Sequence, residues 1–100
     1  MIYMVEMALI AKDRRAEWDE WYVSHMRKLI SIPGIRATQR FESVSPSESP
    51  FVAMHQVDSP DVFVSDAYKA KAGPTGTGEW RTLMNNWHRN VFDGLAEIPD

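Results

Sequence analysis

EWDEWYVSHMRKLISIPGIRATQRF, residues Glu17 to Phe41, holds a helix, its stop and a strand in immediate succession. Trp18, Trp21, Tyr22, His25, Leu29 and Ile32 recur at steps of three and four, which puts them on one face of a helix. The charged residues Glu17, Asp19, Glu20, Arg27 and Lys28 mostly fall elsewhere around the cylinder. Ile32-Pro33-Gly34 ends the helix, because the residue before proline is pushed out of the α region and glycine supplies a positive φ. Ile35 to Val44 then reads as a strand.

Upstream, Asp13 is placed to cap a helix that runs to about Ile30. Before it, Ile2 to Ile10 reads as a strand whose two alternate sets, Tyr3, Val5, Met7, Leu9 and Ile2, Met4, Glu6, Ala8, Ile10, are both mostly apolar. Both faces of such a strand need cover, so it belongs in the middle of a sheet. Downstream, the polar stretch Ser43 to Pro50 joins the second strand to a third, Phe51 to Val57, as in a hairpin. Ser59-Pro60 is a cap followed by proline at the first helical position. It opens a helical region to Ala72 with a break near Ser65-Asp66. GPTGTG, Gly73 to Gly78, reads as a flexible loop, Glu79 to Met84 as one helical turn, and Asn85 to Phe92 as the last strand.

The order β-α-β-β-α-β predicts a single α+β domain of the ferredoxin-like type, with a four-stranded antiparallel sheet carrying both helices on one face. The apolar residues on the other side of the first strand need a second sheet. The nearest one available is a second copy of the chain, which predicts a two-fold homodimer.

Composition narrows the function. The chain has 100 residues, 44% of them hydrophobic, which suits one folded domain. Eleven Lys and Arg against fourteen Asp and Glu leave a net charge of −3, and no basic stripe is present, so nucleic acid is not expected as a partner. No stretch is long and apolar enough for a membrane span, and MIYMVEMALI lacks the basic start of a signal peptide. The lack of cysteine removes disulfides, thiol catalysis and Cys-ligated metal, and fits a cytoplasmic location.

The Glu17–Phe41 stretch resembles the dimeric α+β barrel superfamily, and within it the EthD-like branch. Trp21-Tyr22, His25, Pro33-Gly34 and the strand from Arg36 to Phe41 carry the likeness. Tyr68, the Gly-rich loop, Trp80 and Arg89-Asn90-Val91-Phe92 extend it over most of the chain. The resemblance implies a pocket between sheet and helices, and an activity like those of muconolactone-type isomerases, polyketide cyclases or cofactor-free monooxygenases. In methylmuconolactone isomerase-type members a histidine on the first helix precedes the Pro-Gly turn, a position matched by His25. Many relatives carry an acidic residue just before that histidine. Here it is Ser24, so a mechanism leaning on that carboxylate does not carry over.

His25 is the first candidate for catalysis, since an imidazole among apolar rings stays neutral near pH 7 and can take and return a proton. The plain alternative is a buried histidine tied to a main-chain oxygen. Tyr22, His55 or Tyr68 would donate a hydrogen bond to a developing oxyanion. Trp21, Tyr68 and Trp80 supply flat apolar walls for a substrate, with Trp80 placed either to close over it as a lid or to anchor the loop, while Trp18 and Trp87 are expected in the core. Glu6, in mid-strand, touches the site, pairs with Arg40 or Arg89, or lies near solvent at a sheet margin. His25, His55 and His88 show no metal-ligand spacing, so no metal is expected. GPTGTG is followed by Glu79-Trp80-Arg81 and so is no phosphate loop, and no Gly-x-Ser-x-Gly elbow is present.

These features predict an enzyme without cofactor that moves a proton on a small cyclic, lactone-like or aromatic metabolite, as an isomerase, cyclase or lyase. A cofactor-free monooxygenase and a small-molecule binding protein without turnover are the alternatives.

Overall fold

The computed structural model describes residues 1–72 and 77–99. Its strands and helices are β1 (Ile2–Leu9), α1 (Arg15–Leu29), β2 (Ile35–Glu42), β3 (Phe51–Val57), α2 (Asp66–Ala72) and β4 (Met84–Phe92). Short 3-10 segments cover Lys12–Arg14, Pro60–Val64 and Gly78–Thr82. All pairings are antiparallel and the sheet order is β2-β3-β1-β4, the ferredoxin-like arrangement. β1 lies between β3 and β4, as its two-sided apolar pattern requires.

One face of β1, made of Tyr3, Val5, Met7 and Leu9, is buried. It packs with Ala53 and Val57 of β3 against Trp18, Tyr22, Met26 and Leu29 of α1. Trp18 has no exposed surface, and its indole Nε1 donates to the Met84 sulfur at 3.3 Å. Trp18 is therefore a core residue, as expected, with its one polar atom satisfied.

The start of α1 differs from the sequence reading. Asp13 does not cap the helix; it lies inside the Lys12–Arg14 turn, and Arg14 takes the cap position with no side-chain cap bond. Arg14 instead pairs with Glu17 one turn on and with Glu79 at 2.9 Å, which ties the helix entry to the segment before β4. The end of α1 follows expectation. Gly34 has φ +95°, and a Cβ there would collide with Cγ2 of Val62. Only glycine meets both demands. Ser59 Oγ accepts from the Asp61 N–H at 3.2 Å, with Pro60 next in the chain. The expected break falls at Ser65, which is extended and whose Oγ accepts the N–H of Tyr68 at the start of α2.

Two bulges set which side chains face the helices. On β2 the register shifts between Ile35 and Ala37, so Ile35 and then Thr38 and Arg40 turn inward despite their mixed parity. On β4 the pairing jumps from Glu6↔His88 to Ala8↔Asn85, and Asn86 takes φ +54°. Met84 and then Trp87 and Arg89 thereby line the same side. A bulge re-aims a strand by one residue, and here it aims polar groups at the helix-covered face. Residues 73–76 of the glycine-rich loop lie outside the described part.

Candidate functional site

His25 projects from α1 toward the sheet and is 8% exposed. Its ring lies flat on Trp21, with centroids 4.9 Å apart and planes 11° from parallel, and meets Tyr22 edge-on at 6.0 Å. The helical steps from Trp21 and Tyr22 to His25 produce this cluster. Among the described residues His25 makes no hydrogen bond, yet no buried side-chain nitrogen or oxygen is orphaned. The residue borders the adjoining cavity.

His55 faces it from β3. Pairing aligns Thr38, His55 and Tyr3 across three neighbouring strands. Thr38 Oγ1 lies 2.8 Å from His55 Nδ1, and the Tyr3 ring stacks on the imidazole at 5.7 Å. Burial is the main reason that both histidines are weak bases, each lowered to about 4. The positive charge of Lys28 adds to the effect at His25, and His25 adds to it at His55. Both rings are neutral at pH 7. Burial pushes the Tyr22 phenol up to about 12 against the opposing pull of Arg40 and Arg89. It also raises Tyr68, which has Tyr3 beside it. Both tyrosines keep their proton and can donate it in hydrogen bonds.

These groups border a cavity of about 60 Å³ between α1, α2 and the sheet, lined by His25, His55, Tyr3, Tyr22, Tyr68 and Arg89 with Trp21 and Trp87 among the apolar walls. A neighbouring hollow of about 180 Å³ shares Ala72, Thr77, Met84, Trp87 and Arg89 with it. A dry cavity of roughly 150 Å³ can hold a benzene ring, so the outer hollow has room for one ring. A larger open groove of about 670 Å³ lies at the other end of the sheet, beside Lys12, Arg15 and Asn86. Among the described residues no histidine lines it, and its Arg15 is held by Asp19 and Glu42. Buried groups with displaced proton affinity make the smaller cavity the candidate site.

The structure thus brings His25, His55, Trp21, Tyr22 and Tyr68 together. It separates two others from them. Glu6 belongs to the alternate set of β1, paired beside Val52 and His88, and faces away from the cavity. Nor does it pair with Arg40, which is bound to Asp19 at 2.9 Å, or with Arg89; among the described residues it has no ion pair. Trp80 is 5% exposed and stacks behind Trp21 at 6.0 Å, under the Arg14 guanidinium. It supports the wall and does not close over the cavity. Trp87, expected in the core, is partly buried and lines the cavity instead. Tyr3, Thr38 and Arg89 were not singled out for the site. Tyr3 shares the inward set of β1, and Arg89 alternates with Trp87, so strand parity carried a signal for both; Thr38 is turned inward by the β2 bulge.

Among the described residues no group of three or more His, Asp or Glu could hold a metal ion. No helix among them is long and apolar enough to cross a membrane.

No protein-family model matches the chain. No curated protein matches it either. Solved structures do. SnoaB, a cofactor-independent oxygenase from Streptomyces nogalater, superposes with a TM-score of 0.74 at 13% identity, over 99% of this chain and 97% of that one. An ethyl tert-butyl ether degradation (EthD) family protein from Bacillus halodurans gives 0.64 at 16% identity, over 93% and 99%. A DABB family protein with a ferredoxin-like fold from Mesorhizobium loti gives 0.73 at 13% identity, over 95% and 96%. At these identities the likeness is one of fold, the ferredoxin-like arrangement of four antiparallel strands and two helices.

Proposed function

We propose that the protein is a cofactor-independent enzyme that moves a proton on a small cyclic, lactone-like or aromatic metabolite, with His25 as the group that takes and returns it. The observation that carries this reading is the buried imidazole laid against Trp21 at the wall of the cavity. His25 removes a proton from carbon next to a carbonyl, and the electron pair moves onto the carbonyl oxygen. Tyr22 or Tyr68, held protonated, donates a hydrogen bond to that oxygen. The imidazolium so formed is a strong acid in this dry setting and delivers the proton to a second carbon. A base this weak needs an acidified C–H, one flanked by both a carbonyl and a ring or double bond. His55, fixed by Thr38, is the second proton-handling group.

A cofactor-free monooxygenase begins with the same proton removal, after which the electron-rich anion reacts with dioxygen. The fold likeness to SnoaB favours keeping this second reading. The functional unit is inferred to be a homodimer. Ile2, Phe41, Met54 and Phe92 leave large apolar surfaces on the sheet face opposite the helices, where a second sheet would cover them.

The test uses cyclic ketones and butenolide lactones in D2O. Deuterium uptake under nitrogen should be accelerated by the protein and should fall by about a hundredfold or more in His25→Asn. Oxygen consumption on admitting air would assign the monooxygenase branch. Equal exchange in the two proteins, or binding with no exchange and no oxygen uptake, would remove the enzyme reading and leave a binding protein.

A further inference from the structure

Four of the seven arginines are matched to carboxylates: Arg14 with Glu17 and Glu79, Arg15 with Asp19 and Glu42, Arg36 with Asp58, and Arg40 with Asp19. Among the described residues Arg27, Arg81 and Arg89 have no ion pair. Two of these three, Arg81 and Arg89, converge on the outer hollow of about 180 Å³. Among the described residues its lining contains no Asp or Glu; the others are Ala72, Thr77, Met84 and Trp87. Arg89 also borders the inner cavity, so it stands where the two join. Its guanidinium rests over the Trp87 ring at 4.8 Å, which holds the fork in place.

Two like charges in one recess repel each other, and the rest of the chain carries an excess of acidic residues that could have neutralised them. An anion entering the recess relieves that repulsion and meets planar donors suited to a carboxylate. The field of Arg89 reaches the Tyr22 and Tyr68 phenols as well, so the cation acts on the inner cavity too.

We propose that this recess is the anion subsite of the pocket and that the ligand is a cyclic or aromatic carboxylate, its acid group held by Arg81 and Arg89 and its ring directed inward toward Trp21 and His25. The proposal takes its place in the molecule from the site described above but does not depend on the proton chemistry assigned there. A carboxylate at this point also sets a negative charge near His25, which strengthens it as a base when substrate is present.

The test is equilibrium binding by calorimetry of benzoate against its neutral counterpart, benzamide. The acid should bind about tenfold more tightly or better, and added salt should erode the difference. The double variant Arg81→Met, Arg89→Met keeps the aliphatic stems; it should lose the preference and bind the amide as before. His25→Asn should retain the preference, which separates this subsite from the catalytic reading. Equal affinity for acid and amide in the wild type, a preference that survives in the double variant, or no benzoate binding at millimolar concentration would overturn the proposal. If the double variant melts early, the wild-type comparison of acid and amide still decides.

Discussion

His25 and Trp21 lie face to face, 4.9 Å between ring centroids and 11° from parallel. Behind Trp21 comes Trp80 at 6.0 Å, and over Trp80 the Arg14 guanidinium at 4.6 Å. The outermost member is locked by its ion pairs to Glu17 and Glu79. A column of flat groups thus runs from the helix entry to the cavity, and it leaves one side of the imidazole dry. Loss of water on that side is what disfavours the imidazolium.

Stability should fall in acid. Folded His25 and His55 take up a proton near pH 4, whereas their unfolded forms do so near 6.5. Between those values the unfolded chain holds more protons, so lowering the pH favours unfolding. Each histidine contributes up to roughly 1.4 kcal/mol per pH unit in that window, and nothing above it. Melting temperatures should be flat from these groups above pH 7 and should drop between 6.5 and 4. The double variant His25→Asn, His55→Asn should show a shallower drop.

Thr38→Val should cost about 1–2 kcal/mol. It removes the partner of His55 Nδ1 at a half-buried position and leaves the ring free to turn. Chemical denaturation measures the loss. Nitrogen shifts of His55 should show a changed balance of its two neutral tautomers.

Gly34→Ala should lower the melting temperature by several degrees, reflecting a loss of roughly 1–3 kcal/mol. The positive φ strains any side chain at that point, and the new methyl must displace Val62. An unchanged melting curve would mean that the turn after α1 is looser than described.

Met54→Glu should convert a dimer to a monomer in light scattering without unfolding the chain. Met54 is 37% exposed on the sheet face away from the helices. A wild-type protein that is monomeric at micromolar concentration would contradict the inferred pairing.

Much of the fold could be read from local signals. The 3.6-residue recurrence from Trp18 to Ile32 specified the buried face of α1, Pro33-Gly34 its end, and Ser59-Pro60 the next start. His25 and Tyr22 reached the cavity because helical spacing alone decides which way they point. Strand residues were harder. An uninterrupted period of two groups Ile35 with Ala37, but the bulge at Ala37 turns Thr38 and Arg40 inward instead. The same shift near Asn86 lets Met84 and Trp87 share a face. Asp13 looked like a cap because its residue type favours one, yet long-range pairing of Arg14 with Glu79 fixes the entry. Trp80 looked like a lid from its place beside the glycines, and nothing local reveals that Trp21 backs onto it. The convergence of Arg81 and Arg89 is likewise tertiary.

The most direct measurement is a proton NMR titration of the His25 ring in the wild type and in Trp21→Ala. The wild-type ring should stay neutral until the pH approaches about 4, and removal of the indole should move its midpoint up toward 6.5. A wild-type midpoint at or above 6.5, unaffected by the loss of Trp21, would show a solvated imidazole and contradict the dry wall on which the proton transfer depends.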